Sequence, residues 1–108
     1  MPEVEGFIQT TQEGTHFLAT FVIKDAEYNF SGRISSNTQQ WKCKPAFLEY
    51  ETLAQLTSTR PFDGKIGRRK VELKISNGPK IVGYVLLPLE EGSSVSGNGM
   101  WNTGARMQ

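Results

Sequence analysis

The sequence predicts an all-β or β-rich α+β domain. We expect a single curled antiparallel sheet or a partly open small β-barrel of six or seven strands with one short helix. Apolar and polar residues alternate with a period of two over most of the chain. Clusters of Gly, Asn and Pro separate the alternating segments. Helical spacing of apolar residues occurs in one segment, residues 46–58. A partly open barrel is an economical way to close the edges of so many short strands.

The first half of the chain is predicted to form four strands. A short strand over residues 6–10 and a longer one over residues 15–24 come first, followed by residues 28–34 and residues 39–44. Pro45 is expected to end the fourth strand because proline cannot donate a backbone hydrogen bond. The residues predicted to face the core are Phe17, Ala19, Phe21, Ile23, Tyr28, Phe30, Gly32, Ile34, Trp41 and Cys43.

Residues 46–58 are predicted to form the helix. Phe47, Tyr50 and Leu53 fall at helical spacing, and Pro45 suits a first helical turn. The same residues also fit a strand with Leu48 and Tyr50 on the inner face. Helix and strand therefore both remain open here.

The second half is predicted to contain two strands between turns. Residues 59–64 have the composition of a turn, and residues 70–75 alternate as a strand. Asn-Gly-Pro at 77–79 predicts a tight turn. Residues 81–87 are apolar on both faces, as expected of a central strand or of one that a helix covers.

Length and composition indicate one domain. The 108 residues are 37% apolar and 21% charged, and a chain of this size buries about two-thirds of its unfolded surface. We assign residues 1–91 to a single β-rich domain. Residues 92–108, rich in Gly, Ser and Asn, are expected to be a flexible C-terminal tail.

The sequence predicts a cytoplasmic protein that does not contact membranes. The one cysteine excludes an internal disulfide framework. The N-terminus lacks the layout of a signal peptide. The longest mostly apolar run, residues 81–89, is far shorter than the ~20 residues of a membrane-spanning helix.

Catalytic, cofactor and metal signatures are missing from the sequence. One histidine and one cysteine offer no spacing for a zinc site. Cys43 is expected to face the core with Trp41 and to be inert, and His16 is expected at the surface or rim. The Gly-Ser run after residue 91 lacks the lysine and helix of a phosphate-binding loop. We therefore predict a protein that is not an enzyme and that holds neither cofactor nor metal.

Charges are unevenly distributed along the chain, although the net charge is +1. Residues 1–31 carry one lysine and five carboxylates, a balance of −4, whereas residues 42–80 carry nine cations and four carboxylates, a balance of +5. This asymmetry indicates an anionic partner for the middle of the chain. The alternative is that folding places the two segments side by side, where their charges pair or are solvated.

Basic and aromatic residues lie close together in the middle segment, at residues 41–44 and 60–65. A cationic groove with flat side chains, on which bases stack, holds single-stranded nucleic acid. We therefore interpret the chain as a non-catalytic binding module for single-stranded nucleic acid, with Phe62 as the better stacking candidate. The predicted nucleic-acid-binding residues are Lys42, Lys44, Arg60, Phe62, Lys65, Arg68 and Lys70.

Two other classes stay open. A small protein-interaction module (adaptor, inhibitor or assembly subunit) would associate with a protein partner, or with itself as a homodimer, through an edge strand or the C-terminal tail. Met100 and Trp101 are its predicted partner-binding residues. The third class is a barrel that binds a small ligand, and the cavity of such a barrel would be lined by Phe17, Phe21, Tyr28 and Phe30.

Overall fold

Eight antiparallel strands close into a barrel in the computed structural model, which describes residues 3–11, 16–33, 41–86 and 92–105. The strands are β1 (Glu3–Thr11), β2 (His16–Ile23), β3 (Ala26–Arg33), β4 (Lys42–Glu49), β5 (Thr59–Ile66), β6 (Lys70–Ile75), β7 (Lys80–Val85) and β8 (Ser93–Ala105). A single 3-10 turn, Leu53–Gln55, lies between β4 and β5. The predicted all-β class is confirmed, with a closed barrel and more strands than the six or seven expected.

The strand order makes the barrel a pair of Greek keys. Around the barrel the order is β1-β2-β3-β8-β5-β6-β7-β4, and β4 pairs again with β1. The first four strands therefore lie in the order 4-1-2-3, and the last four repeat it as 8-5-6-7. The two units join at β3–β8 and at β4–β7. Each of the eight strands is paired on both sides, so none of them offers an edge for strand addition.

The helix predicted over residues 46–58 is wrong. Residues up to Glu49 belong to β4, and the 3-10 turn is the one helical element in the described part of this segment. The alternative strand is correct for residues 46–49, and Leu48 and Tyr50 are both buried. Pairing of β4 with both β1 and β7 supplies backbone hydrogen bonds on two sides, and these outweigh the weak helical spacing of the apolar residues.

Pro45 lies inside β4 rather than at its end. The pairing register shifts there on both sides, between Gly6 and Ile8 on β1 and between Cys43 and Ala46 along β4. A bulge of this kind accommodates a residue that has no backbone N–H.

Residues 59–64, expected to form a turn, belong to β5, which pairs with β6 and β8. Position 64 of this strand is a glycine because the backbone of β6 passes too close to leave room for a side chain. A Cβ at this position would meet the carbonyl oxygen of Glu72 and lie 2.9 Å from the Cα of Leu73. The turn-like composition thus reflects close strand packing.

The flexible tail predicted after residue 91 is wrong for residues 93–105, which form β8, the longest strand. The strand pairs with β3 and β5 and completes the barrel. Its inner face is Val95, Gly97, Gly99 and Trp101, and Trp101 is only 5% exposed. A Cβ at Gly99 would lie within 2.8 Å of three ring carbons of Phe30, so glycine leaves room for an aromatic ring.

Aromatic rings fill the barrel interior. Phe17 lies 5.4 Å from Phe62 and 6.1 Å from Phe30 between ring centroids, and Phe30 lies 4.9 Å from Trp101. The predicted inward residues are buried, apart from the half-buried Tyr28 and from Ile34, which lies outside the described residues. Phe17 and Phe30, which were considered as the lining of a ligand cavity, pack against one another. An eight-stranded barrel is just wide enough for its side chains to fill it.

Gln55 connects the 3-10 turn to the turn between β6 and β7. Its Oε1 accepts hydrogen bonds from the backbone N–H groups of Glu51 (2.8 Å) and Thr52 (3.2 Å). Its Nε2 donates to the carbonyl oxygen of Asn77 (3.0 Å), and Asn77 Nδ2 donates in return to the carbonyl oxygen of Gln55 (3.0 Å). These reciprocal bonds hold the β4–β5 connection against the barrel.

Candidate functional site

Cations collect at one end of the barrel, which we call the cationic end. There β1, β3, β5 and β7 finish, and β2, β4, β6 and β8 begin. The cations at these strand ends and in the β5–β6 turn are Arg33, Lys42, Lys65, Arg68, Arg69 and Lys70. The described residues of this end include no carboxylate.

The connecting segments outside the described residues add three carboxylates to the charge count of this end. The sequence has Glu13 between β1 and β2, and Glu90 and Glu91 between β7 and β8. Six cations against these three carboxylates leave a balance of +3.

The opposite end of the barrel is richer in carboxylates: Glu3, Asp25, Glu27, Glu49 and Glu51 lie there. The ion pair between Lys80 Nζ and Glu72 Oε2, at 3.6 Å, lies on β7 and β6 away from the cationic end. The opposite end also holds the cations Lys24, Arg60, Lys74 and Lys80, so its charge is close to balanced and the excess of positive charge lies at the cationic end. A cationic end of this kind raises the local concentration of anionic ligands.

Five of the predicted nucleic-acid-binding residues lie at or near the cationic end. Lys42, Lys65, Arg68 and Lys70 belong to it, and Lys44 lies two residues further along β4. The other two predicted residues are elsewhere.

Arg60 and Phe62 are displaced from the predicted site by the length and burial of β5. Arg60 lies at the opposite end, where its Nε donates a hydrogen bond to the carbonyl oxygen of Thr57 at 3.1 Å. Phe62 is 3% exposed and packs edge-on against Phe17, so no face of its ring is available to a base. Phe62 as the stacking residue is therefore a wrong prediction.

Exposed aromatic rings lie instead on the outer face of β7, β4 and β1. Tyr84 is 48% exposed and Phe7 is 38% exposed. Both lie opposite the Lys44–Pro45 bulge of β4, one on each side of it. Lys70 of β6 is the direct partner of Tyr84 on its other side. The ring of Phe47 is edge-on to that of Tyr84, 6.4 Å away between centroids.

We call this surface the aromatic–lysine face. It consists of Phe7, Lys42, Lys44, Phe47, Lys70 and Tyr84. It adjoins the cationic end through Lys42 and Lys70, which belong to both.

Sequence analysis missed Tyr84 and Phe7 as functional candidates. The run at 81–87 was expected to be a central strand or to be covered by a helix, and β7 is indeed central, between β6 and β4. Because the described part of the chain contains no helix beyond the 3-10 turn, one apolar face of β7 is left outward. Tyr84 and Leu86 are consequently 48% and 55% exposed.

The two residues predicted to bind a partner point in opposite directions from β8. Met100 is 48% exposed on the outer surface, whereas Trp101 is buried in the core against Phe30. Trp101 is therefore unavailable to a partner in the folded barrel. Met100 stays a candidate contact, but β8 is separated from β7 and β4 around the barrel.

Cys43 has the environment of a structural residue. It is fully buried, and that burial raises the pKa of its thiol from 9.0 to about 12. A thiol held protonated at neutral pH is a poor nucleophile. In the described ranges no three His, Cys, Asp or Glu residues come together as a metal site. Nor is any helix of the described residues long and apolar enough to cross a membrane.

Comparison with known proteins gives no match: no protein family, no curated protein and no solved structure is significantly similar to this chain. What the chain binds must therefore follow from its own surface.

Proposed function

We propose that the chain is a non-catalytic binding module for single-stranded nucleic acid, which lies on the aromatic–lysine face and continues onto the cationic end. One observation carries the proposal. Tyr84, with nearly half of its surface exposed, stands in one row with Lys70 on one side and the Lys44–Pro45 bulge on the other. A flat ring between two lysines is the combination that a base and its neighbouring phosphates require.

Strand spacing supports the fit. Neighbouring strands lie about 4.8 Å apart, so β6, β7 and β4 place Lys70, Tyr84 and Lys44 within about 10 Å across the sheet. Base stacking on an aromatic side chain contributes about 1–3 kcal/mol per base and tolerates any sequence. It also favours single strands, because the base faces of a duplex are already stacked on each other.

The cationic end extends the contact beyond one base. Arg68 and Arg69 in the β5–β6 turn directly precede Lys70 along the chain. A strand whose base stacks on Tyr84 would direct its next phosphates toward this turn. Each neutralised phosphate of a single strand adds about −0.7 to the slope of log affinity against log salt.

The test is a fluorescence-anisotropy titration of a labelled 20-nucleotide single strand at two salt concentrations. Tyr84→Ala is expected to weaken binding by about 5- to 150-fold, which corresponds to the loss of about 1–3 kcal/mol of stacking. The matched control is Met100→Ala, because Met100 has the same 48% exposure but lies on β8. Equal effects of the two substitutions would contradict the proposal.

Two lysines near opposite ends of β6 supply the second control. Lys70→Gln should weaken binding and reduce the salt slope by about 0.7. Lys74→Gln, an exposed lysine near the other end of the same strand, should leave both unchanged. Affinity that does not depend on salt would refute the electrostatic part of the proposal.

A second candidate function, a protein-interaction module, is favoured by the apolar character of the same region. Phe7 on β1, Tyr84 on β7 and Leu86, directly after β7, are all exposed. Contiguous exposed apolar surface is typical of protein interfaces. Sedimentation velocity over a concentration series tests the homodimer form. A dimer that persists at high salt and dissociates in Leu86→Ser would favour this function over nucleic-acid binding.

A further inference from the structure

A second exposed aromatic ring, Phe7, lies in the same row of the barrel surface as Tyr84. Phe7 on β1 and Tyr84 on β7 lie opposite the Lys44–Pro45 bulge of β4, one on each side. The two side chains are 38% and 48% exposed. Lys70 on β6, the direct partner of Tyr84, continues the row. The row therefore crosses the barrel strands in the order lysine, ring, lysine, ring.

A shallow groove lies beside Phe7, on the side toward the cationic end. Its volume is about 230 Å³, and its lining includes Phe7, Lys42, Lys44 and Leu86. The charged residues of the lining are the two lysines, so the groove attracts an anion. Phe7 thus has beside it the combination of a ring and cations on which the proposal at Tyr84 rests.

The row ends at Phe7. The partner of Phe7 on β2 is Thr20, which is only 8% exposed. The Thr20 hydroxyl donates a hydrogen bond to Asn29 Oδ1 at 2.7 Å, and Asn29 Nδ2 donates to Glu27 Oε1 at 3.1 Å. These polar groups bond to one another and include a carboxylate, which repels phosphate. A bound strand would therefore not continue past Phe7.

The spacing of the barrel strands sets the length of nucleic acid that fits the row. From β6 to β1 the row covers three strand spacings, about 14 Å. Tyr84 and Phe7 are two spacings apart, about 10 Å. One strand of nucleic acid advances about 3.4 Å per stacked nucleotide. The row therefore fits about four nucleotides, and bases on the two rings are separated by other nucleotides.

We infer that Phe7 is a second stacking site for the bound single strand. The strand crosses β7, β4 and β1 with one base on Tyr84 and another on Phe7. Lys42 and Lys44 contact the phosphates between these bases. The inference rests on the proposed function and adds to it the size of the ligand, a segment of about four nucleotides instead of a mononucleotide or dinucleotide.

The inference makes affinity depend on the length of the strand. A strand that reaches both rings makes its second contact intramolecularly, so the two contacts reinforce each other. A dinucleotide is too short to reach both rings. Removing the ring of Phe7 should therefore affect a long strand much more than a dinucleotide.

The experiment compares oligothymidylates of eight and two nucleotides at one salt concentration. Fluorescence anisotropy measures the affinity of the labelled octanucleotide, and ¹H–¹⁵N NMR titration measures that of the dinucleotide. Phe7→Ala is expected to weaken octanucleotide binding by about 5- to 150-fold, which corresponds to about 1–3 kcal/mol of stacking. The affinity for the dinucleotide should change far less, because the dinucleotide still stacks on Tyr84.

Three further variants serve as controls. Phe7→Tyr keeps a flat ring and should bind like the intact chain. Phe7→Leu keeps an apolar side chain without a ring and should bind like Phe7→Ala. Leu53→Ala is the matched control, because Leu53 has the same 38% exposure as Phe7 but lies in the 3-10 turn at the opposite end. Its removal should leave both affinities unchanged.

The outcomes separate the inference from the proposed function. If Tyr84→Ala weakens octanucleotide binding and Phe7→Ala does not, the inference is refuted and the proposed function stands. The same conclusion follows if Phe7→Leu binds like the intact chain, or if Phe7→Ala weakens the binding of both ligands equally. If the intact chain does not bind the octanucleotide, both are refuted.

Discussion

The substitution Gly99→Ala tests most directly whether residues 93–105 form a strand of the barrel. The backbone of Gly99 has no positive φ, so alanine can adopt its conformation. Gly99→Ala should therefore lower the free energy of unfolding only through the close contacts of its new Cβ. Its new Cβ would lie within 2.8 Å of three ring carbons of Phe30. That ring is fully buried and is held by Phe17, Phe62 and Trp101, so it cannot turn away.

The expected magnitude follows from two opposing effects. Forcing an extra carbon into a packed core costs about 1–3 kcal/mol, and this site lies near the upper limit because three ring atoms are contacted. Replacing glycine by alanine within a strand returns about 0.5–1 kcal/mol of backbone entropy. The net loss of unfolding free energy should be about 2 kcal/mol, equivalent to a fall of about 8–16 °C in melting temperature for a domain of roughly this size.

Gly104→Ala is the control on the same strand. A Cβ at Gly104 would meet nothing within 4 Å, so the substitution should be neutral or stabilise by up to about 1 kcal/mol. Urea unfolding monitored by the fluorescence of the buried Trp41 and Trp101 gives the midpoint and m-value of each variant. If residues 93–105 were a flexible tail, both alanines would leave the midpoint unchanged. Coincident midpoints for the two variants would refute the packing described for β8.

Three further predictions follow from other parts of the barrel. Deleting residues 92–108 should abolish the cooperative thermal transition measured by circular dichroism, because β3 and β5 both lose β8 as a neighbour. A truncated chain that melts like the intact one would contradict this. Burial raises the pKa of the Cys43 thiol above its unfolded value, so the contribution of this thiol to stability should be constant below about pH 9 and fall as the pH rises from 9 toward 12, because the thiol then ionises only in the unfolded chain. Urea unfolding of Cys43→Ser at pH 8 and pH 10.5 should show a smaller decline than the intact chain, and an equal decline would contradict this. Gln55→Ala should lower the unfolding free energy by about 1–3 kcal/mol, because it removes the side-chain bonds to Glu51, Thr52 and Asn77; an unchanged urea midpoint would mean that these bonds contribute nothing net.

Alternation predicted the strands whose inner positions are large and apolar. Phe17, Phe21 and Phe30, expected inside from spacing alone, are buried, because a strand with one apolar face has a single way to place it in the core. Alternation failed where the inner positions are small. In β8 the inner Gly97 and Gly99 look like linker residues in a sequence. In the structure the ring of Phe62 lies against Gly97 and that of Phe30 against Gly99, so both glycines are core positions.

The candidate site, too, could be predicted from the sequence only in part. The charge pattern predicted a basic middle segment, and five of the seven predicted binding residues lie at or near the cationic end. Which aromatic ring stands beside them depends on which strands become neighbours. Tyr84 lies next to Lys44 because β7 pairs with β4, a contact between residues some forty positions apart. No local pattern encodes that pairing, so the sequence favoured Phe62, which is close to the cations along the chain and buried in the barrel.

The two Greek keys also argue that the aromatic–lysine face is a specific feature and not a by-product of the fold. One detail recurs in both: a Cβ at Gly6 of β1 or at Gly64 of β5 would meet a carbonyl oxygen of the next strand, that of Thr20 or Glu72. The two junctions between the keys should then resemble each other if the fold alone determined their surfaces.

They differ in the features that binding requires. At the β3–β8 junction the outward partners include Glu27 with Gly104, Asn29 with Asn102 and Ser31 with Met100, so the charged side chain among them is a carboxylate and not a lysine. At the β4–β7 junction the bulge at Lys44–Pro45 places a lysine beside Tyr84, and the same bulge faces Phe7 on β1. An exposed aromatic ring lowers solubility and adds nothing to a core that is already filled. Our proposal accounts for its presence at one junction, with lysines around it, through a ligand that stacks and carries negative charge.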